Sequence, residues 1–338
     1  MAPPPVEVEI RTGRADEQHD VVMLLRHQES KGGVVLRDGG QVVHAVGWTP
    51  GRRTRSGRTP WVLTPPRLVS EPTADQVRTL VAADAVVVRT SQQRDVAHSL
   101  GVPWYRLFVV PVAADAETFR RSGPAARNTE RFRIVAESTG PDDGIPTLLS
   151  AVAAWEAIEV VVIAEQRGAT LRREAGRRGL GARFLAVHPR DEAERAWWIR
   201  SAHTAVTVPS SGVPPRLALD AMACGVPVVA TPVDQLEDLV VHGVTGLHVP
   251  SSDPLSLARA VRSIVSDPFR LEAFGMAAAD RALNRYSPER VGRDLVAVYR
   301  RVLSGQPGVE EGEEAGDYSD RSADPSGDGQ VELDGAAR

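Results

Sequence analysis

Apolar positions along the chain fall into short β-branched runs separated by longer stretches with helical spacing. From residue 131 onward the order is regular. "RFRIVAE", "EVVVIAE", "RFLAVHP", "TAVTVPS", "PVVAT" and "GLHVPS" read as strands. "IPTLLSAVAAWEAI", "ATLRREAGRRGL", "DEAERAWWIRSA" and the segment ending at Cys224 read as helices between them. Nearly continuous apolar strands alternating with helices predict a parallel sheet covered on both faces. Gly225 stands where a helix must stop, and Pro227 prevents its continuation. Three helices close this part: one around "LSLARAVRSIVSD", one from Pro268 and one from "SPER". The last has Ser287 as N-cap and an apolar stripe of Val291, Leu295, Val298 and Val302.

The front half is patterned less clearly. "ADAVVVRTSQQRDVAHSLG" followed by "RLFVVPV" is a strand–helix–strand unit. "QVVHAVGW" and "PWVLTPP" read as strands, with "DVVMLL" and "GVVLRDG" as further strand candidates. "GWTPGRRTRSGRTP" has no period and reads as a loop. The polar stretch 120–130 separates two α/β halves. The expected organisation is a reduced Rossmann-like domain over 1–120 and a second Rossmann-like domain over 130–286. A helix over 287–303 packs back on the first domain, and a tail follows over 304–338. That tail holds ten carboxylates and two arginines with few apolar residues, which predicts disorder. It reads as a solvating segment or as a docking segment for a basic partner.

Composition narrows the function classes. A length of 338 residues suits two domains. No apolar run approaches the length of a membrane span, and the N-terminus lacks a basic-then-apolar signal pattern. Cys224 is the one cysteine, which leaves no intrachain disulfide and no cysteine metal cluster. The eight histidines show no HxxxH or HExxH spacing, so no metal site is expected. Together these features point to a cytoplasmic protein. Lys31 is the one lysine among 40 cationic residues, and no GxxxxGK[ST] phosphate loop occurs. The formal net charge is −4, and with the acidic tail set aside the remainder is only mildly positive, so no nucleic-acid footprint is expected.

"VVPVAADAETF", "GPDDGIPTLLSAV", the stretch from "TAVTVPSSGVPPRLALDAMACGVPVVAT" to "HGVTGLHVPSSDPLSLARAV", and "YSPERVGRDLVAVYRRVL" occur in order. In these motifs the chain resembles the retaining glycosyltransferases of family 4, also called group 1, over roughly residues 80–303. The resemblance implies the GT-B fold, two Rossmann-like domains facing a cleft. It implies a nucleoside-diphosphate sugar held mainly by the second domain, a glycan or lipid acceptor near the first, and no metal cofactor.

A diphosphate needs cations, free backbone N–H groups or a helix N-terminus, and the leaving group gains charge in the transition state. The family pattern supplies an arginine and a lysine after the first strand of the second domain. Here Glu137 or Ser138 takes the arginine position and Asp143 the lysine position. The family also carries two glutamates spaced E-x7-E, the first near the sugar and the second on the ribose. Here Gly212 and Asp220 stand at those positions. Where the family has two glycines after the next strand, this chain has Asp234 and Gln235. Ser210, Asp220 and Thr245 remain as donor-binding candidates, Thr245 serving phosphate, ribose or a turn. His44 matches a strand end where the family often keeps a histidine near the sugar, and a core role competes with that reading. Arg52, Arg53, Arg55 and Arg58 read as a solvated loop or a contact for an anionic membrane. Two functions therefore compete. One is sugar transfer from a nucleoside-diphosphate sugar with retention. The other is a catalytically inactive GT-B homologue acting as binding or scaffold partner of an active glycosyltransferase.

Overall fold

A computed structural model describes residues 3–12, 19–48, 59–66, 68, 72–127, 129–211 and 215–305. The first sheet contains β1 (Val6–Thr12), β2 (Val34–Leu36), β3 (Val42–Val46), β4 (Trp61–Thr64), β5 (Ala85–Val88) and β6 (Leu107–Val109). Its order is β2-β1-β3-β4-β5-β6, all pairs parallel. The second contains β7 (Phe132–Ser138), β8 (Ile158–Ala164), β9 (Phe184–Val187), β10 (Thr204–Thr207), β11 (Val228–Ala230) and β12 (Gly246–His248). Its order, β12-β11-β10-β7-β8-β9, is again all parallel. Read from the β9 edge it is the 3-2-1-4-5-6 arrangement of Rossmann folds, with its switch point beside β7.

Helices α1 (His19–Ser30), α2 (Ala74–Ala82) and α3 (Ser91–Ser99) cover the first sheet. Helices α4 (Ile145–Val152), α5 (Gly168–Arg177), α6 (Glu192–Arg200), α7 (Arg216–Ala223), α8 (Gln235–Leu239), α9 (Pro254–Val265) and α10 (Pro268–Arg285) follow in the second half. The last helix is α11 (Pro288–Ser304). Each sheet is buried on both faces, because successive side chains alternate across it. On β7, Ile134 and Ala136 join Leu148 of α4 and Leu257 of α9, while Val135 joins Ile199 of α6 and Ala218 of α7. On β3, Val42 and Val46 meet Leu25 of α1, while Val43 and Ala45 meet Leu80 of α2 and Ala97 of α3. Val291, Leu295, Val298 and Tyr299 of α11 are buried in the first sheet's cluster, whereas Ala278 and Ala282 of α10 belong to the second's. The chain therefore crosses back between Tyr286 and Pro288.

Three local readings need correction. "DVVMLL" is part of α1, not a strand. Val21, Leu24 and Leu25 are buried at helical spacing while Met23 is 52% exposed, so the apolar run is a stripe with one outward residue. The helix expected to run to Ile158 stops at Val152. Arg183 takes the Ala153 and Trp155 carbonyls at 3.0 Å each, and Trp155 and Ile158 close turns instead. Helix α2 was not anticipated, though Thr73 and Gln76 form a capping box: Gln76 N–H donates to Thr73 Oγ1 at 3.3 Å and Thr73 N–H to Gln76 Oε1 at 2.8 Å. Beyond Gly305 the acidic tail lies outside the described residues, as does the arginine loop of Arg52, Arg53, Arg55 and Arg58.

Candidate functional site

The C-terminal ends of β7 and β10 are where a doubly wound sheet places its ligand, and here that region holds carboxylates already matched to arginines. Asp143 precedes Gly144, the N-cap of α4, whose φ of 77° puts it in the left-handed region. Asp143 is buried, and its Oδ1 accepts from the Ile145 N–H at 3.0 Å. A carboxylate thus sits at the positive end of α4, the position an anion would take. Its Oδ2 accepts from Ser138 Oγ at 2.7 Å and from Arg167 Nη1 at 3.0 Å. Arg167, just before α5, also donates to the Gly140 carbonyl.

Glu137, at the end of β7, accepts two bonds from Arg195 of α6, Nη1 at 2.5 Å and Nη2 at 3.1 Å. The remaining nitrogen of that guanidinium, Nε, donates to Asp220 Oδ2 at 2.9 Å. The side chains of Arg195 and Asp220 are 6% and 8% exposed, so this bridge is inside the protein. Arg216, one turn before Asp220 on α7, lies 3.8 Å from the same oxygen and pairs with Glu192. Burial pushes the Asp220 carboxyl up to about 6, with Arg195 and Arg216 pulling it down and Glu137 adding to the rise. Burial opposes the Arg195 charge, but Glu137 and Asp220 outweigh it and hold its pKa above the usual arginine value. Glu137 has the two-pronged face of the guanidinium and Asp220 only its edge, so the deeper carboxyl is the one left under-compensated.

Three cations, Arg167, Arg195 and Arg216, therefore face Glu137, Asp143, Asp220 and Glu192 among the described residues. Each of the three guanidinium groups is paired with a carboxylate of the protein itself.

After β11, Asp234 has φ 49° and ψ −128°. Leu236 N–H donates to the Val233 carbonyl at 3.1 Å, closing a turn with Asp234 at its second position. Those angles are the type II′ geometry that glycine adopts without cost. The backbone thus holds a glycine-favoured shape with a carboxylate attached. That carboxylate reaches the first domain: Gln93 Nε2 of α3 donates to Asp234 Oδ1 at 2.8 Å. Beside it, Ser91 N–H donates to Asp238 Oδ2 at 3.3 Å. Gln235 lines a cavity of about 100 Å³ next to this seam.

The other expected site residues lie elsewhere. Ser210 is exposed after β10, its N–H donated to the Asp142 carbonyl at 3.1 Å. Thr245 is buried and its Oγ1 accepts from the Val241 N–H at 2.9 Å, a bond that holds the turn before β12. His44 is in the core, with Nδ1 2.6 Å from Tyr299 Oη and Nε2 2.8 Å from Thr64 Oγ1. Burial, aided by the Arg89 charge, lowers its pKa to about 3, and neither ring nitrogen is left for an acceptor. Gly212 lies outside the described residues. Among the described residues no group of three or more His, Cys, Asp or Glu is placed to hold a metal, and no helix is long and apolar enough to cross a membrane. Arg167, Arg195 and Gln93 were not singled out from the sequence. Their partners lie 24, 58 and 141 residues away, and nothing local marks them among so many arginines.

Residues 132–267, which enclose Glu137, Asp143, Asp220, Asp234 and Thr245, match the profile described as glycosyl transferases group 1. Over residues 132–267 the chain carries the sequence pattern of a group 1 glycosyltransferase domain. Over 265 residues the chain is 31% identical to D-inositol 3-phosphate glycosyltransferase 1 of Catenulispora acidiphila, covering 70% of this chain and 61% of that protein. The chain thus spans less than two thirds of that relative. Sucrose-phosphate synthase of Thermosynechococcus elongatus superposes with a TM-score of 0.66 at 20% identity, covering 86% of this chain and 80% of its own. Anabaena HepE in complex with UDP and glucose superposes with a TM-score of 0.68 at 13% identity, covering 88% and 99%. The fold is GT-B, as in these structures.

Proposed function

We propose that this chain is a glycosyltransferase homologue whose donor site is closed by its own ion pairs, and that it serves as binding or scaffold partner of an active glycosyltransferase. The observation that carries this reading is the Glu137–Arg195–Asp220 bridge. Asp220 stands where the family binds ribose, and its carboxylate is occupied by Arg195. Asp143 occupies the α4 terminus, where incoming phosphate would meet a like charge. Asp234 closes the cleft side of the β11–α8 turn. Family-type transfer would need all three positions vacated at once.

The direct test is release of nucleoside diphosphate from UDP-, GDP- and ADP-sugars, with polyol, glycan and lipid acceptors supplied. The expected result is no release above the protein-free control, together with recovery of an active glycosyltransferase when the tagged chain is purified from its native cell. Sustained turnover by the isolated chain overturns the proposal.

A second reading has its own support. Arg167 and Arg195 stand beside the positions of the lost basic pair, and HepE is a GT-B protein seen with UDP. If substrate displaces Glu137 and Asp143, those arginines become the phosphate-binding cations of a metal-independent transferase. Turnover abolished by Arg167→Ala and by Arg195→Ala would establish this reading in place of the first.

A further inference from the structure

The two faces of the second sheet carry different charge. Helices α6, α7, α8 and α10, whose buried residues join the cluster around Val135, hold seven carboxylates and six arginines. Helices α4, α5 and α9, which cover the other face, hold five arginines and one carboxylate, Glu174. Glu174 is already taken by Arg178, just past the end of α5, at 2.9 Å. The five arginines, Arg172, Arg173, Arg177, Arg259 and Arg262, are all exposed, and none makes an ion pair among the described residues. Arg172 Nη2 donates to the Ala186 carbonyl at 2.9 Å, Arg173 Nη2 to Thr170 Oγ1 at 3.5 Å, and Arg262 lies over the Trp155 ring at 4.9 Å. Carbonyl, hydroxyl and ring partners orient a guanidinium without neutralising it. The Asp253 carboxyl, at the start of α9, is held low mainly by its Ser256 bonds, with Arg259 adding a smaller pull. The three helices form one layer: Arg178 Nε donates to Ser150 Oγ of α4 at 3.4 Å, and Arg262 of α9 reaches Trp155 just beyond α4. On α5, Arg173 and Arg177 stand one turn apart, a like-charge spacing that weakens an isolated helix.

We propose that this α4–α5–α9 face is the docking surface for the chain's own acidic tail, residues 306–338. The charges are complementary: the tail carries ten carboxylates and two arginines, and six of the carboxylates fall between Glu310 and Asp320, before its first cation, Arg321. Guanidinium groups match carboxylates in geometry as well as in charge. The length is sufficient, because 33 residues span up to about 110 Å when extended. A tethered segment meets its face at an effective concentration that a separate acidic protein would have to match. The tail continues α11, whose apolar stripe is buried in the first sheet's cluster, while the face belongs to the second domain. Docking therefore straps the first domain to the second along a path separate from the Gln93–Asp234 bond. The proposal holds whether or not the donor site is closed.

The test is the distance between two spin labels, read by double electron–electron resonance, in the full-length chain carrying Ala169→Cys and Ser319→Cys. Ala169 is exposed on α5, and the native Cys224 is buried and takes no label. The expected result at about 0.05 M salt is a short, narrow distance distribution. It is expected to lengthen and broaden at about 0.5 M salt, where the Debye length falls to about 4 Å. The same loss is expected in a face variant, Arg172→Gln with Arg173→Gln and Arg177→Gln, and in a tail variant, Glu310→Gln with Glu311→Gln, Glu313→Gln and Glu314→Gln. Glutamine has nearly the helix propensity of arginine, so the face variant is expected to melt with the wild type. The tail variant leaves the described residues untouched and reads the same contact from its other side. A broad distribution at low salt overturns the proposal, as does a short distance kept in either variant. Loss of the short distance on dilution with unlabelled chain places the tail on a second copy and overturns it as well.

Discussion

Arg195 holds Asp220 by its Nε at 2.9 Å while its two terminal nitrogens grip Glu137, joining α6, α7 and the end of β7 through one guanidinium. Removing that guanidinium leaves two largely buried carboxylates facing each other. Arg195→Met is expected to destabilise the second domain by about 3–5 kcal/mol, the usual result of breaking a buried pair from one side. Adding Asp220→Asn is expected to restore part of that loss, because it removes one of the two stranded charges. Urea unfolding followed by a probe in the second domain reads both values.

The same bridge sets a pH dependence. The folded-state pKa of Asp220 is raised from 3.8 to about 6, mainly by burial. The folded protein then holds a proton that the unfolded chain releases, so this contribution is full below pH 3.8 and is lost as pH rises through about 6. The stability of the wild type relative to Asp220→Asn is expected to fall by on the order of 2–3 kcal/mol between pH 4 and 7. Paired urea midpoints across that range check it. A relative stability that rises with pH would mean that Arg195 dominates over burial.

Asp234 carries a side chain in a glycine conformation and uses it to reach Gln93. Asp234→Gly relieves about 1 kcal/mol of backbone strain and forfeits a hydrogen bond of similar worth. Its stability is therefore expected to stay near that of the wild type. The domain seam loosens instead. Faster hydrogen exchange at the Ser91 amide, which Asp238 accepts, is expected in Asp234→Gly and in Gln93→Ala alike. Unchanged exchange in both would show that the seam does not depend on this bond.

Gly144 lets α4 start against β10. Its φ is 77°, and a Cβ there would lie 2.0 Å from the Val208 carbonyl oxygen. Gly144→Ala must move the α4 terminus, and with it Asp143, or the end of β10. A loss of several kcal/mol is expected, more than the roughly 1 kcal/mol of a left-handed alanine alone. Thermal melts of the variant check it.

Much of the fold was legible because the signals were local. The apolar runs of β7 to β12, the stop at Gly225 (φ 73°) and the Ser287 cap are each fixed by neighbouring residues. α1 was misread because its exposed Met23 sits inside an apolar run, and α4 was overextended because Arg183, remote in sequence, claims the carbonyls that end it. In the site, the altered positions Glu137, Asp143, Asp220 and Asp234 were visible as departures from a motif. Their partners were not. An ion pair between α6 and α7 depends on how two helices pack on one sheet face, and no spacing in the chain encodes that. His44 shows the reverse: a residue type suited to chemistry, turned inward where Tyr299 and Thr64 take both of its nitrogens.

The measurement that bears most directly on the self-closed donor site is calorimetric titration of the chain with UDP, GDP and ADP and with their sugar conjugates. The account predicts no saturable binding at millimolar ligand. A dissociation constant below about 100 μM for any nucleoside diphosphate, lost in Arg195→Ala, would contradict it.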